Sequence, residues 1–180
     1  MLEESSSVEE KELFKGKFYS LKRETVHFDS HPPHDWDLIV HPGAVAVLPI
    51  LENGNLLLIK QWRRAVKKIL VEIVAGLKEE GEDPSSCALR EMQEEAGYTA
   101  ETLTPLFNFY AAPGISNEYV HLFLAKDLVK SSLPGDDHEA IDVIEVTLSE
   151  AMDMIHSGEI QDAKTLCAIL RYHQMQAPQG

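Results

Sequence analysis

Three strand-like runs follow one another between Ala44 and Val74 with no helical stretch between them: AVAVLPIL (44–51), LLLIK (56–60) and ILVEIV (69–74). The first two are joined by ENGN, whose Asn53-Gly54 pair suits a tight hairpin turn because both residues tolerate positive φ. A parallel βαβ repeat needs a crossover of roughly a dozen residues between consecutive strands. This stretch therefore argues against a simple βαβ repeat and for hairpins.

Further strand candidates are FKGKFYSLKRETVHF (14–28), LFNFY (106–110), YVHLFLA (119–125) and IDVIEVTL (141–148), while DSHPPHD reads as a loop because Pro32 and Pro33 cannot join a ladder. Three helices are signalled. Pro84 to Ala96 has Asp83 as N-cap, Pro84 at the first position and Gly97 as stop. SEAMDMIHSG has Ser149 as cap and Gly158 as stop, and 163–175 carries Leu166, Ile169, Leu170 and His173 at helical spacing. Strands and hairpins mixed with three helices predict an α+β or a mixed α/β/α layering.

A chain of 180 residues fits one domain with a small appendage. Residues 1–12, acidic and serine-rich, read as a disordered tail, 13–40 as a small antiparallel β region and 41–176 as the main domain. A net charge of −14 argues against a duplex nucleic-acid partner, since such binders cluster Lys and Arg on the phosphates. A small phosphorylated ligand stays open, provided that a local basic patch or bound cations offset the global field. The sequence has no apolar run of about 18 residues and its N-terminus lacks the basic and apolar regions of a signal peptide, so no membrane partner and a cytoplasmic location are expected. Cys87 and Cys167 then read as free thiols.

The chemistry concentrates in ALREMQEEAGY (88–98). On a helix, Glu91 stands i, i+3 to Glu94 and i, i+4 to Glu95, spacings at which each like-charged pair costs about 0.2–0.5 kcal/mol. Ala88, Leu89, Met92 and Ala96 form the core-facing stripe, and Arg90 lies i, i+4 to Glu94. From Lys78 to Glu95 seven acids (Glu79, Glu80, Glu82, Asp83, Glu91, Glu94, Glu95) face only Lys78 and Arg90. Clustered carboxylates suit hard divalent cations, which would reverse the like-charge penalty. Just upstream, Lys60, Arg63, Arg64, Lys67 and Lys68 come with no acid, and arginines beside a metal site can clamp phosphate oxygens.

The run GLKEEGEDPSSCALREMQEEAGY (76–98) resembles the Nudix box at every fixed position: Gly76, Glu82, Arg90-Glu91, Met92, Glu94-Glu95, Gly97 and Tyr98. VHPGAVAVLPI (40–50), QWRR (61–64), VEIVAG (71–76), APGISNE (112–118) and GEIQDAKT (158–165) look like segments of the ADP-ribose pyrophosphatase branch, with Pro113 sixteen residues past Gly97.

The resemblance implies a Nudix-type α/β/α sandwich with a mixed sheet. It also implies metal-dependent hydrolysis of a nucleoside diphosphate linked to another moiety, with two or three Mg2+ or Mn2+ ions. By position, Glu91, Glu95, Glu94, Glu82 and the carbonyl of Ala75 would serve the metals, with Arg90 holding the glutamates. Arg63 would contact substrate phosphate or ribose, and Glu139 in GDDHEAIDV would accept the water proton, with Asp136, Asp137 and His138 as neighbours. Trp36, placed in the loop HDWDL, and Tyr19 are candidate platforms for the base. Pro113, Ser116 and Glu118 complete the substrate candidates, and the branch implies a homodimer.

One departure is Val74, where the branch has proline before Ala-Gly, so the carbonyl of Ala75 would be held less rigidly. Alternatives are a GDP-mannose or broad nucleoside diphosphate sugar hydrolase, a non-catalytic ligand-sensing module, and an enzyme cleaning oxidised triphosphates. Every carboxylate of the box is present, which speaks against the module, and the Pro113 and GISNE match speaks against the triphosphate enzyme.

Overall fold

The computed structural model describes residues 7–29, 31–134 and 141–177. They fall into two compact units: the described residues up to Gly43 together with Tyr110–Tyr119, and Ala44–Phe109 together with the described residues from Val120 onward.

In the first unit β1 (Ser7–Lys15), β2 (Ser20–His27) and β3 (His34–Val40) make an antiparallel sheet in the order β1-β2-β3. Two readings change here. Residues 7–12, taken from composition as tail, belong to β1, where cross-strand partners such as the Lys22 to Glu10 ion pair at 2.8 Å give the acids a ladder to join. HDWDL, read as loop, is strand: Asp37 takes a two-pronged bond from Arg23 at 2.7 and 2.9 Å, and Asp35 accepts from Thr25 Oγ1 at 2.7 Å. The Arg23 guanidinium, by that hydrogen bond, holds the Asp37 carboxyl below its ordinary range.

In the second unit β4 (Ala44–Pro49), β5 (Leu56–Arg63), β6 (Lys68–Glu72), β7 (Val74–Leu77), β8 (Tyr98–Tyr110), β9 (Tyr119–Lys130) and β10 (Ile141–Val146) form two sheets. One runs β7-β4-β9-β8, with β4 parallel to β9 and antiparallel to β7, and the other β10-β5-β6. The first is the mixed sheet expected.

The ENGN turn is present, with the Gly54 N–H donating to the Leu51 carbonyl at 2.9 Å, but β4 and β5 part beyond the single bridge Ile50 to Leu56. A hairpin was expected, and its arms enter different sheets. ILVEIV likewise splits at Ile73, β6 joining one sheet and β7 the other. These runs are apolar on both sides, so no alternation told which neighbour each would take.

The helices are α1 (Pro84–Glu91), continued by a π-helical turn over Met92–Ala96, α2 (Leu148–Ser157) and α3 (Ala163–Gln176). They cover both faces of β4. Val45 and Val47 pack with Cys87, Ala88, Met92 and Ala96, while Ala46 and Leu48 pack with Ala151, Ala168, Ile169 and Tyr172. Alternate side chains of one strand thus feed two apolar layers, giving the α/β/α arrangement. Burying a Met92-sized side chain contributes about 1.5–3 kcal/mol, and Met92 is fully buried.

Helix boundaries follow the caps. Thr147, not Ser149, caps α2 through a reciprocal box with Glu150, and Asp162 caps α3 by accepting from the Thr165 N–H. The buried stripe of α3 is Thr165, Ala168, Ile169 and Tyr172, shifted from the expected set, and Leu170 is exposed. Cys87 is buried and free, Cys167 half-buried and free. Among the described residues no helix is long and apolar enough to cross a membrane.

Candidate functional site

Asp83 starts α1 by accepting from the N–H groups of Ser85 and Ser86 at 2.9 and 3.1 Å, and Gly97, at φ 73°, ends the π turn in the left-handed region that a side chain disfavours. The helical span from Pro84 to Ala96 is the one expected, but its final turn is wider. A π turn spaces side chains differently from an α turn and is frequent at functional sites. It carries Glu94 and Glu95.

The buried face differs from the predicted stripe: Cys87 and Glu91 are buried with Ala88, Met92 and Ala96, whereas Leu89 is half-buried. A buried carboxylate needs room and partners. Room comes from Gly76 on β7, where an added Cβ would stand 1.9 Å from the Glu91 carboxyl carbon. The partner is Arg90, whose Nη1 donates to Glu91 Oε1 at 2.6 Å and to Glu94 Oε2 at 3.0 Å. Arg90 also forks onto Glu82, from Nε to Oε1 at 2.9 Å and from Nη2 to Oε2 at 3.0 Å. One cation therefore stands among three carboxylates.

The electrostatics follow from these contacts. The Arg90 hydrogen bond, helped by the Glu79 N–H and opposed by burial, holds the Glu82 carboxyl down at about 2. Burial pushes Glu91 up despite Arg90, with Glu94 and Glu82 adding to the rise. Burial also drives the Cys87 thiol to about 12, so it stays protonated and inert. Arg90 is held charged, first by its hydrogen bond to Glu82.

Glu95 turns the other way and accepts from the Ala75 N–H at 3.0 Å. Glu91 and Glu95 thus both close on the β7 backbone at Gly76 and Ala75. Val74 is buried, and Val74 and Ala75 pair with Val47 and Ala46 of β4, so sheet pairing fixes this backbone where a proline ring would otherwise restrict it.

The donor set suits a hard divalent cation: carboxylate oxygens, with a glycine leaving the space that Glu91 fills. Among the described residues, however, no three acidic, His or Cys side chains already converge on one point. Glu82, Glu91 and Glu94 pair with Arg90, and Glu95 with the Ala75 amide. Glu82 has both oxygens committed to Arg90, with the Glu79 N–H adding 2.9 Å to Oε2, so its position is that of a brace.

Arg63 lies at the end of β5 and forks onto buried Glu72, from Nε to Oε1 and from Nη2 to Oε2, both at 2.7 Å. Sequence reasoning missed Glu72, because an acid inside an apolar strand run gives no spacing signal. In the first unit Pro113 and Ser116 line a cavity of about 500 Å³ with Leu38, Val40, Tyr110 and Asn117. Ser116 Oγ accepts from the Glu118 N–H at 3.1 Å, which places Glu118 beside that cavity's wall. Tyr19 and Trp36 do not line it. Tyr19 is exposed against Phe14, and Trp36 packs edge-on against Phe28 and His34. Glu139, with Asp136, Asp137 and His138, lies outside the described residues.

The family model described as NUDIX domain matches residues 40–169. The chain is 40% identical to an ADP-ribose pyrophosphatase of Bacillus subtilis over 92% of its own length and 91% of the relative's. It is 37% identical to a methanol dehydrogenase activator of Bacillus methanolicus, over 96% and 94% of the two chains. A crystal structure of an ADP compounds hydrolase superposes with a TM-score of 0.87 at 22% identity, covering 100% of this chain and 98% of that one, and shows the shared fold.

Proposed function

The chain belongs to the NUDIX family, and from that premise we propose that it hydrolyses the diphosphate linkage of ADP-ribose or a related nucleoside diphosphate sugar. The products are a nucleoside monophosphate and a sugar phosphate. The observation that carries this reading is the closure of Glu91 and Glu95 on the β7 backbone at Gly76 and Ala75, with Arg90 bracing the remaining carboxylates.

Glu91, Glu95, Glu94 and the Ala75 carbonyl would hold two or three Mg2+ or Mn2+ ions, with Glu82 in support; bound, these supply charge neutralisation on the phosphoryl oxygens and acidify water. The chain's own residues do the positioning. The Ala75 amide fixes the Glu95 carboxylate at 3.0 Å, and the space over Gly76 fixes Glu91. Arg90 sets the spacing of Glu82, Glu91 and Glu94 and limits their mutual repulsion. Arg63 meets a phosphate oxygen, and Glu139 takes the proton from the attacking water. Tyr19 and Trp36 offer aromatic surface for the base in a homodimer, with Pro113, Ser116 and Glu118 as further substrate contacts.

A product assay over ADP-ribose, GDP-mannose, UDP-glucose, diadenosine polyphosphates and 8-oxo-dGTP tests the reading. Release of AMP and ribose 5-phosphate from ADP-ribose as the best substrate is the expected result. GMP and mannose 1-phosphate as the main products would move the base preference to GDP-mannose, and pyrophosphate from the triphosphate alone would overturn the reading.

A further inference from the structure

Behind Arg63 the second unit holds a chain of charges whose centre, Glu72, is buried at 1% relative exposure. Glu72 pairs across the ladder with Ile59, four residues before Arg63, so the guanidinium lies back along β5 to reach it. The second Glu72 oxygen accepts from Lys164 Nζ, and Lys164 also bonds Asp162 Oδ1 at 2.9 Å. Asp162 Oδ2 accepts from Thr165 Oγ1 at 2.5 Å, and that same hydroxyl accepts from the Ile73 N–H at 2.9 Å. Ile73 is the residue between β6 and β7, where the chain changes sheets. The first turn of α3 is thereby fastened to the backbone next to Glu72.

As a stabilising device this is poor value, since a buried ion network gains little over apolar residues of similar volume. What it does supply is direction. Burial opposes the Glu72 charge, but Arg63 and Lys164 together keep the carboxyl below its ordinary range. The ionised carboxylate engages one edge of the guanidinium, Nε and Nη2, in a fixed fork. The angle of the guanidinium on β5 is thereby set before substrate arrives. Such prior ordering spares the binding step the loss of side-chain freedom.

We infer that Glu72, held by Lys164 and the Asp162–Thr165 turn, is a positioning residue that presets Arg63 to clamp a phosphate of the nucleoside diphosphate substrate. The inference rests on the reading of Arg63 as a phosphate contact.

The test compares wild type, Arg63→Ala, Glu72→Gln and the double variant for kcat and KM with ADP-ribose and for the equilibrium Kd of ADP-ribose with metal withheld. Glu72→Gln is expected to raise KM and Kd about tenfold, the effect of losing one charge-assisted bond, with kcat changed less than about threefold. The double variant is expected to match Arg63→Ala alone, because Glu72 acts through Arg63. Independent, multiplying effects would overturn the positioning role, as would a lowered Tm with unchanged KM and Kd. If Arg63→Ala itself leaves KM and Kd unchanged, the assignment of Arg63 to substrate fails. If only Glu72→Gln leaves them unchanged, that assignment stands and the positioning role alone fails. Should Glu72→Gln not fold, Arg63→Lys keeps the charge but not the fork: a KM near that of Arg63→Ala supports the inference, and one near wild type overturns it.

Discussion

Arg90 and Arg63 make the same two-pronged bond, Nε and Nη2 onto the two oxygens of one glutamate, in surroundings of opposite charge balance. At Arg90 a single cation is shared by Glu82, Glu91 and Glu94. At Glu72 a single carboxylate is shared by Arg63 and Lys164, with Asp162 completing a neutral set. The first arrangement leaves negative charge over, which suits a site that takes up cations. In the second these four charges balance, which suits a device that aims an arginine. The same fork thus serves two ends according to what surrounds it.

The largest expected effect that would sharpen this contrast is on turnover at the acidic cluster. Glu95→Gln should lower kcat by about 10²–10³-fold at saturating Mg2+, the scale of losing one oriented charge at a reacting centre. Wild-type turnover would remove Glu95 from the site. Gly76→Ala comes next: the added Cβ meets the end of the Glu91 side chain, which can swing away, so activity should fall at least about tenfold while Tm moves little. A large Tm loss with activity intact would show that Gly76 serves the fold instead.

Cation binding gives a third, smaller effect. Near-saturating Mg2+ should raise Tm by about 5 °C in wild type, and chelation should reverse it, because a ligand bound only to the folded state stabilises it. The increment should shrink in Glu91→Gln but persist in Glu72→Gln. Equal increments in both would erase the distinction between the clusters.

The smallest effect is a pH dependence. Glu82 is held at about 2, below its ordinary 4.5. A carboxyl depressed in the folded state contributes stability above the unfolded value and loses it as pH falls through the folded one. Denaturant midpoints of wild type and Glu82→Gln should therefore differ at pH 7 and converge as pH falls from 4.5 through about 2, the ionic contribution vanishing below that. A gap constant across that window would mean that Glu82 is not the ionised brace of Arg90.

Legibility in the sequence differed between the two clusters for a physical reason. The box glutamates lie on one local stretch of helix, so chain proximity and helix periodicity bring Glu91 and Glu94 to Arg90, and the caps Asp83 and Gly97 mark its ends. Glu72 meets Lys164 across ninety-two positions of sequence, a distance at which no local period carries information. The hairpin at Asn53-Gly54 shows the same limit. Turn chemistry identified the turn, but which sheet each arm joined depended on partners such as β9 and β10, which lie far along the chain.

What the sequence determined by itself is what short-range chemistry controls: the α+β class, the three helices and most of their ends, the run of carboxylates on the first helix and the family. Only the tertiary structure decided that Glu91 is buried above Gly76, that Glu95 closes on the Ala75 amide, and that Arg63 is gripped by Glu72. Each of these depends on strands and helices brought together by burial of apolar faces, and that burial selects partners by shape and volume over long range, not by spacing along the chain.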